Sequence, residues 1–218
     1  GVPWCVLLPV KRLASAKSRL NLDLPGFTGQ GRAELALALA RDTCAAALAA
    51  PRAAHVLAIT DDAVATASLS EAGAVVIADL PEAGINAALL HGFNEAQRRW
   101  PGIGVAAMSC DLAAATPEAI DQVLAETEGL DIGVAGFVAD AQGTGTTMYL
   151  APHSAPFAPS FGPHSRALHA AGGAIELGRG AGLASLRRDI DTAVDLWDAQ
   201  RLGVGQYTRA VLDALAHP

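Results

Sequence analysis

Short apolar runs alternate with longer amphipathic stretches along most of the chain. The runs WCVLLPV, HVLAIT, AVVIA, IGVAAMSC and DIGVAGFVA are nearly continuous, as is typical of strands buried on both faces. Between them lie stretches with helical periodicity at 32–50, 61–73, 85–100 and 116–129. This alternation predicts an α/β fold with a mostly parallel, doubly wound sheet, flanked by helices that make right-handed crossovers.

The alternation ends near residue 140. GTGTTMYLAP predicts a strand, and FAPSFGPHSRALHAAGGA predicts a turn and then a helix that ends at Gly172 and Gly173. LASLRRDIDTAVDLWDAQRLG predicts a strand that leads into a terminal helix, with Asp191 or Thr192 as its N-cap. No repeat or linker is visible, so we expect a single domain over residues 1–218.

Composition narrows the class of protein. Hydrophobic residues make up 51% of the 218 residues and charged residues 17%, which is typical of a globular chain. No apolar run has the length of a membrane-spanning helix, and a net charge of -7 argues against nucleic-acid binding. The three cysteines show no CxxC spacing and the start lacks a basic signal-peptide region, so we expect a reducing, cytoplasmic location.

Basic residues are concentrated in one stretch after the first predicted strand. LLPVKRLASAKSRL contains Lys11, Arg12, Lys17 and Arg19, and it holds both lysines of the protein. In a parallel sheet this loop lies at the carboxyl edge, where ligands bind, together with the loops after Ala78, Cys110 and Ala139. A solvated loop with scattered cations is one interpretation; a site for a small anionic ligand is the other.

Three aspartates are candidates for a metal site opposite these cations. Asp111 follows a buried strand, and Asp189 and Asp191 are two residues apart, so they would point the same way on a strand. Such carboxylates suit Mg²⁺, which prefers oxygen ligands and is commonly shared with phosphates. Asp111 could instead form a turn, and Asp191 could instead cap the last helix. Neither a GxGxxG nor a Walker A motif follows the first strand.

Two further segments carry glycine and hydroxyl groups. GTGTT and FGPHS contain Gly143, Gly145 and Gly162, where backbone can approach a ligand closely. Thr146, Thr147 and Ser165 offer hydroxyl donors, and Ser165 lies near a predicted helix start, where an anion is favoured. Ordinary hairpin and turn chemistry is the alternative interpretation.

The order of these segments resembles one known family. PVKRLASAKSRL, INAAL, CDLAAATPEAI, GTGTT, FGPHS and RRDIDTAVDL are similar to segments of the phosphoenolpyruvate / 2-phospho-L-lactate guanylyltransferases of coenzyme F-420 biosynthesis. The likeness covers nearly the full length and is strongest to actinobacterial members. It implies a single-domain nucleotidyltransferase fold of the glycosyltransferase A type. It also implies transfer of GMP from GTP to the phosphate of a three-carbon acid, with release of pyrophosphate.

The resemblance also implies roles for individual residues. Lys17 and Asp111 would be catalytic, and Lys11, Arg19 and Asn86 would bind the nucleotide. The ligands of Mg²⁺ would be Asp111, Asp189 and Asp191. The residues that hold phosphoenolpyruvate would be Thr146, Gly162 and Ser165.

The sequence departs from the family pattern at two places and leaves alternatives open. CDLAAAT replaces the more usual Asp-Leu-Pro, which is expected to alter loop stiffness, and His164 stands where aspartate is familiar in FGPxS. The acid could be phosphoenolpyruvate, which we expect, or 2-phospho-L-lactate or 3-phosphoglycerate. A nucleotidyltransferase that guanylylates molybdenum cofactor is a rival, although its glycine-rich first loop is missing, and a non-catalytic GTP-binding domain is another.

Overall fold

The structure is a computed structural model and describes residues 2–218. Within this range seven strands form one sheet in the order β3-β2-β1-β4-β6-β5-β7. The strands are β1 (Trp4–Pro9), β2 (Ala53–Ile59), β3 (Val75–Ile77), β4 (Gly104–Met108), β5 (Gly136–Ala139), β6 (Thr146–Ala151) and β7 (Ile175–Leu177).

Helices flank the sheet. They are α1 (Gly29–Ala49), α2 (Ala63–Ala72), α3 (Ile85–Arg99), α4 (Pro117–Glu126), α5 (Ser165–Ala171), α6 (Ala193–Leu202) and α7 (Gln206–Ala216). Short 3-10 helices occur at Leu13–Ser15, Thr127–Gly129 and Ala181–Leu186. In the part of the chain that the structure describes, no helix is long and apolar enough to cross a membrane.

The strand directions confirm the predicted mostly parallel α/β fold. β1 pairs in parallel with β2 and β4, and β2 pairs in parallel with β3. β6 is antiparallel to both of its neighbours, β4 and β5, and β7 is parallel to β5. The carboxyl ends of the six parallel strands therefore lie at the same edge as the start of β6.

Both faces of the sheet are buried, which explains the continuous apolar runs. On one face Val6 and Leu8 pack with residues of α1, α2 and α4. On the other face Cys5 and Leu7 pack with Leu89 of α3 and with aromatic residues that include Phe137. A strand covered on both sides has no solvent-facing positions, so it loses the alternation of apolar and polar residues.

The predicted strand in 183–203 is wrong. The chain forms the 3-10 helix Ala181–Leu186 there and then continues without regular structure to α6. Leu183 and Leu186 are both buried, and a spacing of three residues matches a 3-10 turn rather than a strand. The argument that Asp189 and Asp191 share one face of a strand therefore does not hold. The helix predicted after this segment is confirmed as α6, but it is not the terminal one, because the separate helix α7 follows it. Neither α7 nor the short strand β7 was predicted.

The predicted helix starts are confirmed. Thr116 caps α4, since its side chain accepts a hydrogen bond from the Ala119 N–H at 3.1 Å, and Pro117 is the first helical residue. Thr192, rather than Asp191, is the N-cap of α6, where it forms a capping box with Asp195. The Asp191 carboxylate is therefore not used as a cap.

A buried carboxylate attaches the last helix to the first. Asp42 of α1 is 6% exposed and accepts hydrogen bonds from the Tyr207 N–H at 3.1 Å and the Thr208 N–H at 2.8 Å. These are N–H groups of the first turn of α7, which the helix itself leaves unpaired. The side chain of Asp42 therefore stabilises the start of α7, where a negative charge is favoured.

A Cβ at Gly205 is expected to displace this carboxylate. A methyl group there would overlap the Asp42 carboxyl group, whereas one at Gly182 would meet nothing within 4 Å. Because hydrogen bonds to a charged group are worth about 1.5–3 kcal/mol each, Gly205→Ala is expected to lower the free energy of unfolding by about 2–4 kcal/mol. Urea denaturation measures this change, with Gly182→Ala as the matched control. Equal stability of the two variants would contradict the role of Asp42.

Candidate active site

A cleft of about 520 Å³ lies at the carboxyl edge of the sheet. It is bordered by the loop after β1, the start of α3, the loop after β4 and the residue before the cap of α6. The polar side chains that line it are Lys11, Ser15, Lys17, Ser18, Arg19, Asp79, Ser109, Asp111 and Asp191. Apolar residues that include Val10, Leu13, Ile59 and Ile85 line the rest.

Two leucines anchor the basic loop and leave its cations at the cleft. Leu13 and Leu20 are buried, and the N–H of Leu13 donates to Asp62 Oδ2 at 2.9 Å. Lys17 lies between them in the left-handed region with φ of 58°, which is uncommon for a residue with a side chain. The hydrogen bond from the Leu20 N–H to the Lys17 carbonyl, at 2.9 Å, closes this turn.

The ammonium group of Lys17 lies between two aspartates. Its Nζ is 2.5 Å from Asp111 Oδ2 and 3.3 Å from Asp191 Oδ1. Burial disfavours its charged form, but attraction to Asp111 and then to further neighbours outweighs burial, so the pKa of Lys17 is raised above its ordinary value. Arg19 adds a weaker contact, since its Nη2 lies 3.5 Å from Asp191 Oδ2 and its side chain is largely exposed.

Asp111 is held at the end of β4 by its neighbours. The N–H of Ser109 donates to the Thr147 carbonyl at 2.9 Å, and the Thr43 hydroxyl donates to the Cys110 carbonyl at 3.0 Å. Asp111 is 8% exposed, and within the described residues its buried Oδ1 has no hydrogen-bond partner. An unpaired buried carboxylate oxygen is unfavourable, so this atom is available for a cation or another donor.

Asp189 lies close enough to Asp111 and Asp191 for their charges to affect its ionisation. Burial, followed by the negative charges of Asp111, Asp191 and Asp140, raises the pKa of its carboxyl group to about 7. Carboxylates that oppose each other's ionisation in this way are stabilised by a divalent cation. Side chains of the described residues do not form a ready-made metal site with three or more His, Cys, Asp or Glu ligands. The three predicted metal ligands are therefore neighbours, with Lys17 bound to two of them.

Two of the residues predicted to bind the nucleotide, Lys11 and Asn86, lie in different surroundings. Lys11 is exposed and lines the cleft. The Asn86 side chain instead holds the backbone of Phe161: its Nδ2 donates to the carbonyl at 3.0 Å and its Oδ1 accepts from the N–H at 2.8 Å. Asn86 therefore links the start of α3 to the segment that precedes Gly162, and its contact with a nucleotide stays a prediction.

The residues predicted to hold the acid meet beside the start of β6. Thr146 and Ser165 are buried, with their hydroxyl oxygens 3.0 Å apart. Gly162 adopts φ of 128°, a backbone conformation that side chains disfavour, and its carbonyl accepts from the Ser165 N–H at 3.2 Å. His164 is exposed in the left-handed region with φ of 61°. Asn, Asp and His all tolerate that region, so histidine can replace aspartate there.

Sequence reasoning missed several residues that position this site. One of them, Asp195, accepts hydrogen bonds from the N–H groups of Asp191 and Thr192, each at 3.0 Å. The spacing Thr-x-x-Asp is a capping-box signal and was available in the sequence. Thr43, Asp62 and His169 carried no comparable signal, because their partners are distant in the chain.

The strand order and the helices that flank the sheet define a class of protein by its fold, an α/β protein of the nucleotidyltransferase type. Two solved structures share the fold: a putative nucleotide-diphospho-sugar transferase from Desulfovibrio desulfuricans G20 has a TM-score of 0.63 at 15% identity and covers 95% of this chain and 97% of its own. A nucleotidyl transferase from Methanothermobacter has a TM-score of 0.59 at 17% identity and covers 93% and 98%.

The family follows from sequence comparison. The model described as "Guanylyl transferase CofC like" matches residues 4–216, and the chain belongs to this family. It is 49% identical over 208 residues to the phosphoenolpyruvate guanylyltransferase of Thermomonospora curvata, with 95% of this chain and 88% of the relative covered. It is 45% identical to the enzyme of the same name from Streptomyces coelicolor, with 95% of each covered. The resemblance seen in the sequence motifs is thereby confirmed.

Proposed function

We propose that the protein transfers GMP from GTP to the phosphate of phosphoenolpyruvate, as a cytoplasmic step of coenzyme F-420 biosynthesis. The products are enolpyruvyl-diphospho-5'-guanosine and pyrophosphate. The observation that carries this proposal is the cluster of Lys17, Asp111 and Asp191 at the carboxyl-edge cleft. The choice of acid is supported by the relatives named phosphoenolpyruvate guanylyltransferase.

The reaction requires positioning and charge neutralisation more than acid–base chemistry. A phosphate monoester has a second pKa of about 6, so the attacking oxygen is already ionised at neutral pH. It forms a bond to the α-phosphorus of GTP, and the bond from that phosphorus to the bridging oxygen breaks, with the electron pair leaving on pyrophosphate. Two polyanions must therefore approach each other, and cations reduce their repulsion.

The basic loop is suited to this task. Lys17 has its charge retained by the neighbouring aspartates, and Lys11 and Arg19 extend the positive lining of the cleft. A lysine ammonium is a compact charge that contacts phosphate oxygens, and an arginine guanidinium contacts them as a planar fork. In the proposed complex, Lys11, Lys17 and Arg19 bind the triphosphate and orient the α-phosphorus.

Nucleotidyltransferases generally use a divalent metal, and Mg²⁺ is the proposed ion. The residues fit it, because Asp111 has an unpaired buried oxygen and Asp189 is surrounded by other carboxylates. Asp111, Asp189 and Asp191 would hold the ion, which when bound neutralises phosphate charge. Thr146, Ser165 and the backbone of Gly162 would bind the acid, as groups that donate to a carboxylate or phosphate oxygen.

One competition assay tests the proposal. Purified protein with GTP and Mg²⁺ is offered equal amounts of phosphoenolpyruvate, 2-phospho-L-lactate and 3-phosphoglycerate, and products are identified by mass spectrometry. We expect the enolpyruvyl product together with pyrophosphate, and ATP in place of GTP serves as the control. A product that carries only the lactyl mass would overturn the choice of acid. GTP binding without release of pyrophosphate would overturn the transfer reaction.

A further inference from the structure

A buried histidine lies behind the proposed acid-binding hydroxyls. His169 of α5 is 3% exposed, and its ring packs near the rings of Phe137, Tyr149 and Phe161, with centroids 5.0–5.8 Å away. Burial lowers the pKa of its imidazole to about 4, so the ring is neutral at pH 7. A neutral imidazole carries one proton, and the position of that proton determines what each ring nitrogen can do.

The backbone determines the tautomer. The N–H of Ser160 lies 2.8 Å from Nε2 of His169, and because a backbone N–H can only donate, Nε2 must be the acceptor. The ring proton is therefore on Nδ1. This nitrogen lies 2.9 Å from Oγ1 of Thr146, so His169 donates to the threonine hydroxyl.

A count of hydrogens then shows what the hydroxyl pair can offer. Thr146 and Ser165 share one hydrogen bond, which uses one of their two hydroxyl hydrogens. When the ring proton is on Nδ1, His169 accepts neither hydroxyl hydrogen, so one of the two is free to donate elsewhere. When the ring proton is on Nε2 instead, Nδ1 would accept the second hydroxyl hydrogen, and the pair would have no free hydrogen to donate. Within residues 2–218 neither hydroxyl has a further hydrogen-bond partner.

We infer that His169 is a positioning residue, whose Nδ1–H bond to Thr146 orients the Thr146–Ser165 pair so that its remaining hydroxyl hydrogen can donate to an anionic oxygen of the phospho-acid substrate. The inference rests on the proposed function for the class of ligand. Its consequence is a preference for an acceptor such as a carboxylate or phosphate oxygen, since an unmade bond at this buried pair would be unfavourable. His169 does not itself contact the substrate in this arrangement.

Nitrogen NMR of the histidine rings tests the tautomer directly. His169→Phe identifies the signals, because it removes one set from the wild-type spectrum. We expect a neutral ring protonated on Nδ1, and we expect its Nδ1 shift to change when phosphoenolpyruvate is added without GTP. A ring protonated on Nε2, or charged at pH 7, would overturn the inference. So would an unchanged shift with saturating phosphoenolpyruvate.

Kinetics separate positioning from a general loss of structure. His169→Phe keeps a ring of similar size in the aromatic surroundings but removes both hydrogen bonds, so the free hydroxyl hydrogen remains while the pair is no longer oriented toward the substrate oxygen. We expect the KM for phosphoenolpyruvate to rise about 10- to 100-fold, the range for a hydrogen bond to a charged group, while the KM for GTP is unchanged. His153→Phe, at an exposed histidine, is the matched control. An equal rise in both KM values would indicate a merely structural role and overturn the inference.

A double variant tests whether His169 acts through Thr146. Thr146→Val removes the hydroxyl and keeps the shape, and adding His169→Phe should then raise the KM for phosphoenolpyruvate by no more than about twofold. If the two substitutions instead raised the KM by the product of their separate effects, the coupling between His169 and Thr146 would be overturned.

The inference and the proposed function can fail separately. If none of the acids is guanylylated, the proposed function fails. The tautomer of His169, and the change in its Nδ1 NMR shift on adding phosphoenolpyruvate, still decide this inference.

Discussion

Asp111→Asn is expected to reduce guanylyl transfer by about 100- to 1,000-fold, the range for loss of one preorganised electrostatic group at a reaction centre. The change keeps the size of the side chain but removes the charge that contacts Lys17 Nζ at 2.5 Å. It also removes the negative charge that the carboxylate shares with Oδ1, the buried oxygen that is available to a cation. The effect is measured as the rate of turnover of GTP with phosphoenolpyruvate, monitored by the release of pyrophosphate.

The fold is expected to survive this substitution. Lys17 keeps Asp191 as a partner at 3.3 Å, so its charge is not left unpaired, and we expect the free energy of unfolding to fall by no more than about 3 kcal/mol. Asp213→Asn, at an exposed carboxylate of α7, is the matched control and should leave turnover unchanged. A folded Asp111→Asn enzyme with near wild-type turnover would contradict the assignment of Asp111 to the site.

Lys17→Met has the second large expected effect, a fall in kcat/KM for GTP of about 100- to 1,000-fold. Methionine keeps much of the aliphatic stem and lacks the ammonium group. Because that group would contact phosphates in both the bound substrate and the transition state, the KM for GTP should rise and kcat should fall together. Steady-state kinetics with varied GTP at saturating phosphoenolpyruvate measures both values.

The second lysine of the chain provides the comparison. Lys11 lines the same cleft but is exposed, so its charge is screened by water, and Lys11→Met should change kcat/KM for GTP by less than about tenfold. Equal effects at the two lysines would mean that general positive charge in the loop matters rather than the buried contact of Lys17. Unchanged kinetics in Lys17→Met would leave the loop as a solvated turn.

The fold was predictable from the chain because burial on both faces leaves a local record. Strands such as β1 and β4 read as continuous apolar runs, and α4 carries its own start signal in Thr116 and Pro117. The segment 183–190 was not predictable in this way. Its two buried leucines are compatible with more than one local structure, and packing against the core selected a 3-10 turn.

The sequence by itself determined the class of fold, the family and the set of chemical groups at the candidate site. It concentrated both lysines in the stretch from Leu7 to Leu20, and the position of this stretch after an apolar strand was enough to predict that the cations lie at the carboxyl edge of the sheet. It also placed Asp111 at the end of an apolar strand, since hydrophobic periodicity is set within a few residues.

Only the tertiary structure decided how these groups are paired. The contact of Lys17 with Asp111 joins residues 94 positions apart, and its contact with Asp191 joins residues 174 apart. The proton on His169 Nδ1 likewise depends on Ser160 and Thr146, which belong to two different segments. Hydrogen bonds and ion pairs act over a few ångströms in space, and no local pattern records which distant segments the fold brings within that reach.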